Sequence, residues 1–204
     1  MKSIRNIALS FAFAARALYA EENTDQFESA FIFDRYPHHA EEASHLHLIT
    51  SLSNELDMLE LEDESVWVVS AYDKYKLRNW HASDRFILTQ NNRWFSSYQY
   101  RLINRSAGSS IEVNLFLGPN VEQEGTLSIV SMRSDGSWME LSDGSRWQVL
   151  HADCNETLTW LPGQVIIIGA NSQGDETFSE LLLNTSLNEG ARARNMTKPV
   201  ASCD

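Results

Sequence analysis

Between residues 127 and 196 short apolar runs alternate with turn signals, and within the runs the period is two. Arg146-Trp147-Gln148-Val149 shows this most clearly. As a strand it puts Trp147 and Val149 on one face and Arg146 and Gln148 on the other. Just before it, Asp143-Gly144 marks a tight hairpin, because a type I′ turn needs φ > 0 at both central residues. Leu127–Arg133 and Trp138–Leu141 read as the preceding strands, separated by Ser134-Asp135-Gly136. After a loop holding Asp153, Trp160 and Pro162-Gly163 comes Val165-Ile166-Ile167-Ile168, a β-branched run that predicts a buried strand. Phe178–Asn184 and Ala191–Met196 complete a set of six.

The same pattern occurs earlier in the chain. A shift of 80 positions, without a gap, brings Trp67 onto Trp147, Val69 onto Val149, Asp73 onto Asp153 and Trp80 onto Trp160. Ile49, Glu60, Leu61, Asp63, Ser65, Ile87, Asn91, Leu102, Asn104 and Ser106 also meet identical residues. Two tryptophan pairs in one register point to a duplicated unit. Each unit holds short strands at short spacing, the mark of a small barrel or sandwich. The expected fold is all-β: two tandem small barrels of SH3- or OB-like outline, or compact sandwiches. The first spans 46–118 and the second 126–198, with a linker at 119–125. Trp67, Trp80, Trp147 and Trp160 are expected inside. Asp73 and Asp153, at equivalent loop positions, are expected to cap their own loops.

Outside the units the composition changes. Residues 1–20 begin with Lys2 and Arg5, continue through an apolar run from Ile7 to Ala15, and end at Ala20 before Glu21-Glu22. This reads as a secretory signal. Residues 21–45 form an acidic N-terminal arm, and 199–204 a short disordered tail. No other segment reaches the ~20 apolar residues a membrane-spanning helix needs. The formal net charge is −12, and loss of Lys2, Arg5 and Arg16 with the leader makes it more negative. Such a surface argues against nucleic acid, whose binding draws on Lys and Arg, and against anionic membranes.

The hairpin Asp143-Gly144-Ser145-x-Trp147-x-Val149, followed by Trp160, Gly163, Val165 and Ile167, resembles a pattern of small uncharacterised exported bacterial domains, including tandem proteins of chlamydia-like bacteria. This chain has Gln164 where that pattern usually has Asp, and the first unit has Glu64 and Ser83 in place of the two glycines. The resemblance implies a β domain outside the cytoplasm (periplasm, cell envelope or secreted) and implies no activity.

Few residues suggest chemistry. His38, His39, His45 and His47 cluster, and on a strand His45 and His47 face the same way, so they could share Zn²⁺ or Cu²⁺. Solvated surface histidines are the plainer reading, with no cofactor. Trp94 and Trp138 are not duplicated, and with Tyr98 and Tyr100 they are candidates for an exposed binding surface. Cys154 and Cys203 can pair in an oxidising compartment or stay free; closing a loop of about 50 residues is worth about 4 kcal/mol. The chain contains no GxSxG, HExxH, Walker or GxGxxG pattern. The leading expectation is therefore an exported, non-catalytic binding or structural module. Two similar units would give it avidity or a composite groove for a protein or envelope partner. The alternatives are a periplasmic metal-binding protein using the histidines and an enzyme with an inter-domain cleft. Oligomeric state is not legible.

Overall fold

The computed structural model describes residues 46–53, 55–81, 84–173, 175 and 177–197. The expected signal, the acidic arm and the tail lie outside these residues. Among the described residues twelve strands, all within one compact unit, follow one another. The first six are β1 (Leu46–Leu52), β2 (Met58–Leu61), β3 (Val66–Val69), β4 (Arg85–Gln90), β5 (Tyr100–Asn104) and β6 (Ser109–Leu117). Their counterparts are β7 (Leu127–Met132), β8 (Trp138–Leu141), β9 (Arg146–Val149), β10 (Val165–Ala170), β11 (Glu180–Asn184) and β12 (Glu189–Asn195).

Each set closes into a six-stranded antiparallel barrel. In the first, the order is β1-β2-β3-β6-β5-β4, and β4 pairs back onto β1 through His47↔Phe86. In the second, the order is β7-β8-β9-β12-β11-β10, and β10 pairs back onto β7 through Leu127↔Ile166. Closure leaves neither barrel with a free sheet edge. Registers agree at a spacing of 80: Leu59↔Trp67 answers Met139↔Trp147, and Phe86↔Asn104 answers Ile166↔Asn184. Even the bulge is shared, falling between Ile49 and Ser51 in β1 and between Ile129 and Ser131 in β7.

Turn chemistry explains where the two copies differ. Left-handed backbone occurs at Leu56 and Gly136, at Glu64 and Gly144, and at Gly108 and Asn188. At each pair one copy uses glycine and the other a residue with a side chain; glycine lowers the cost of the turn, and at Gly136 a Cβ would also lie 2.6 Å from the Cys154 carbonyl oxygen and Thr157 Oγ1.

Both barrel interiors are built around indoles. Trp67 and Trp147 are fully buried, and their Nε1–H groups donate to Ser65 Oγ at 2.9 Å and Ser145 Oγ at 2.7 Å. A buried indole needs such a partner, and the serine two residues back supplies it from inside the same hairpin. Trp80 and Trp160 are buried as well, donating to Ser109 Oγ and Glu189 Oε2 at 2.8 and 3.4 Å. The acceptors again lie 80 positions apart.

The barrels meet along β4 and β10, which run parallel and touch through Thr89↔Ala170. Every residue of β10 is buried, because both its faces are covered. Ile166 and Ile168 point into the second core, while Ile167, with Leu183 of β11, packs into the first. A Cβ on Gly169 would lie 2.4 Å from the Leu88 carbonyl oxygen, so only glycine permits this approach.

Candidate functional site

Beside this contact the barrels leave a cleft of about 500 Å³. The first barrel contributes Gln90, Asn91, Asn92, Gln99 and Tyr100 from β4, β5 and the loop between them. From the second come Asp153 and Glu156 of the β9–β10 crossover, Gln173 of the β10–β11 loop, and Asn188, Glu189, Gly190 and Arg192 at and just before the start of β12. Six of these residues carry neutral amides, groups that donate at one end and accept at the other.

Those amides hold the walls together and leave bonding capacity over. Asn92 Nδ2 donates to Ser172 Oγ at 2.9 Å, a bond between equivalent positions of the two copies. Asn188 Nδ2 donates to Gln99 Oε1 at 2.5 Å, and Tyr100 Oη donates to the Asn188 carbonyl at 3.3 Å. Asn188 Oδ1 is shielded from solvent and accepts no bond within the protein. A buried acceptor in that condition costs about 1–3 kcal/mol.

One ion pair anchors the second wall. Arg192 donates from Nε to Asp153 Oδ2 at 2.7 Å and from Nη2 to Oδ1 at 2.5 Å, and its Nη1 reaches Gln173 Oε1 at 2.6 Å. Burial alone would raise the Asp153 pKa, but the Arg192 bonds outweigh it and hold the carboxyl below its usual range. Asp153 is thus fully engaged by Arg192. Asp73 and Asp153 do not cap their own loops. Each accepts the backbone N–H of a residue 39 positions on, Glu112 at 2.7 Å and Arg192 at 2.8 Å, and so pins its crossover to β6 or β12. In the first barrel Asp73 pairs instead with Lys76 at 2.9 Å, and Glu112 with Arg93 at 3.6 Å. The Lys76 and Glu112 positions become Glu156 and Arg192 in the second copy, an exchange of charge that preserves neutralisation while changing the face shown to the cleft.

The expected aromatic surface divides. Tyr100 is a core residue, buried and edge-on to Trp67 with centroids 5.7 Å apart, because β5 turns that position inward. Trp138 is half-buried on β8 under the Arg146 guanidinium, 5.9 Å from its ring centre. Tyr98 is half-buried in the β4–β5 loop, and Trp94 in the same loop is exposed.

Both ring nitrogens of His47 face oxygen atoms of the protein. Its Nδ1 lies 2.9 Å from Glu62 Oε1 and its Nε2 lies 2.8 Å from the Ile168 carbonyl oxygen, so neither nitrogen has a lone pair to spare. A carbonyl and an ionised carboxylate both accept, an arrangement that favours the protonated, doubly donating ring. Burial opposes that charge, but the bond and charge of Glu62 and the Ile168 carbonyl prevail and raise the pKa. His38, His39 and His45 lie outside the described residues, and among the described residues no three His, Cys, Asp or Glu side chains gather as a donor set. Cys154 is a free thiol donating to the Leu150 carbonyl at 3.6 Å; Cys203 lies outside the described residues. Burial, followed by Asp135, Asp153 and Glu156, pushes the Cys154 pKa up, against use as a nucleophile.

Comparison with protein-family models, with curated proteins and with solved structures finds no match to the chain.

Proposed function

We propose that the protein is an exported, non-catalytic binding module whose ligand occupies the cleft between the barrels. The cleft itself carries this reading: amides from both copies converge on a space large enough for a small ligand. Ligand sites of this size combine concavity with a few convergent polar groups. Export rests on the basic, then apolar, then small-residue order of residues 1–20.

Side-chain NH₂ resonances give a direct test. Protein labelled at Asn and Gln nitrogen and titrated with neutral saccharides and uncharged peptides should show shifts concentrated at Gln90, Asn92, Gln99, Gln173 and Asn188. Shifts confined to other faces, or none with either panel, would remove the cleft from consideration. For export, the secreted or periplasmic chain should begin at Glu21; an intact Met1 on the exported protein, or retention in the cytoplasm, would refute it.

A further inference from the structure

The second barrel shows what the fold requires of the first. Around the crossover and the β4–β5 loop, the first barrel exposes Tyr72, Tyr75, Trp94 and Phe95, at 89%, 61%, 90% and 96%. The equivalent residues are Ala152, Asn155, Gly174 and Asp175. A barrel of the same topology and register closes without these rings, so folding does not explain four large aromatic groups held in water.

They are also gathered. The two loops that carry them meet on Glu112 of β6: its N–H donates to Asp73 Oδ2, Ser96 Oγ donates to its Oε2 at 2.9 Å, and Arg93 Nη1 lies 3.6 Å from its Oε1. The aromatic residues therefore share one end of the barrel. Moreover, the loop bearing Trp94 and Phe95 also supplies Asn91, Asn92 and Gln99 to the cleft. Trp94 and Phe95 thus sit in the same loop as three of the cleft's amides.

Three observations narrow the ligand. Asp153, Glu156 and Glu189 line the cleft against one cation, Arg192, in a chain of net charge −12, which disfavours anionic ligands. The amides disfavour a purely apolar ligand, which would leave them desolvated and unpaired. Finally, the aromatic groups stand proud of the surface. The side-chain anchors of a bound peptide work from well-packed, desolvated pockets, and rings exposed at 90% or more do not form such pockets. A pyranose ring has the complementary chemistry, with an apolar C–H face to lie on a ring and hydroxyls that both donate and accept toward amides. We propose that this chain binds a neutral oligosaccharide, stacked on the Trp94–Phe95 end of the first barrel and hydrogen-bonded by Gln99, Gln173 and Asn188 in the cleft. This rests on the binding-module reading above.

The test uses the full chain with short linear neutral oligosaccharides of glucose, mannose, xylose and N-acetylglucosamine, a sulfated dextran, and a pool of uncharged peptides, read by calorimetry and tryptophan fluorescence. At least one neutral glycan should bind, and the sulfated polymer should bind at least about tenfold more weakly. Trp94→Ala should weaken glycan binding by about tenfold or more with the melting temperature unchanged, and Gln173→Ala should weaken it similarly. Glycan binding indifferent to both substitutions would overturn the proposal. Peptide binding sensitive to Trp94→Ala, with no glycan bound, would overturn the glycan and leave the module reading intact. Failure of every probe would remove both.

Discussion

His47 of β1 donates to the carbonyl of Ile168 in β10 at 2.8 Å, so a side chain of the first barrel is tied to the backbone of the second. The equivalent residue in the second barrel is Leu127, so this tie belongs to the interface and not to barrel closure. Because its other nitrogen faces Glu62, with Asp63 adding further negative charge, the His47 pKa is raised and that of Glu62 lowered. The signs follow directly. Stability from His47 is full below its unfolded pKa near 6.5 and is lost as pH rises through the higher folded value. Stability from Glu62 is present above its ordinary carboxyl range and is lost as pH falls through its lowered value. The expected profile therefore peaks in mildly acidic solution and declines on the alkaline side. His47→Leu should flatten that alkaline limb; an unchanged slope in denaturant melts from pH 6 to 9 would exclude the imidazolium bridge.

The paired indoles make a matched experiment. Trp67→Ala and Trp147→Ala should each cost about 3–5 kcal/mol, as truncations of large core aromatics do. Ser65→Ala and Ser145→Ala remove only the acceptor, and leaving a buried N–H unpaired should cost about 1–3 kcal/mol. Equal costs in the two barrels are expected, since the bonds are nearly the same length, 2.9 and 2.7 Å. Urea unfolding with unchanged midpoints would refute the core assignment.

Much of this framework was legible because it repeats. The Asp-Gly hairpin, the alternation around Trp147 and the β-branched run in β10 are local signals, and the spacing of 80 carried them to the first half, where Glu64 replaces the turn glycine. The cleft was not legible in the same way. It is assembled from loop amides at positions far apart in the chain, and Gln99 meets Asn188 only because the barrels dock. Tyr100 departs from the expected exposed surface for a related reason. Its strand faces inward at that position, but the polar loop before it gave no phase for the alternation. One signal is present: the Lys76/Glu112 positions become Glu156/Arg192 in the second copy, a paired charge change around the Asp73 and Asp153 contacts.

Glu64 offers a test in the stabilising direction. Its φ is +64°, whereas its counterpart Gly144 sits at +78°. A side chain in the left-handed region costs about 1 kcal/mol or more, and glycine removes that cost. Against this stands one exposed bond, from Asn120 Nδ2 to Glu64 Oε2 at 2.8 Å. Exposed bonds of this kind contribute little, so Glu64→Gly should raise stability by about 0.5–1 kcal/mol. A lowered melting temperature would show that the Asn120 contact matters more than backbone conformation.

Gly169 gives the sharpest probe of docking. Its φ is ordinary, so conformational freedom is not why glycine is needed there; the Leu88 carbonyl carbon and oxygen, 3.1 and 2.4 Å from where a Cβ would stand, are the reason. Both obstructing atoms are backbone in the middle of β4, which cannot move without disturbing its pairing with β5. Gly169→Ala should therefore push the barrels apart, cost about 1–3 kcal/mol as overpacking does, and loosen the cleft. Gly108→Ala is a useful contrast, because nothing lies within 4 Å of its Cβ and its cost comes only from a φ of +61°. Hydrogen exchange should separate the two. Gly169→Ala should speed exchange along β4 and β10 and at the cleft amides, while Gly108→Ala should affect only its own hairpin. Matching exchange patterns in both variants would show that the close approach of β4 and β10 does not govern the cleft.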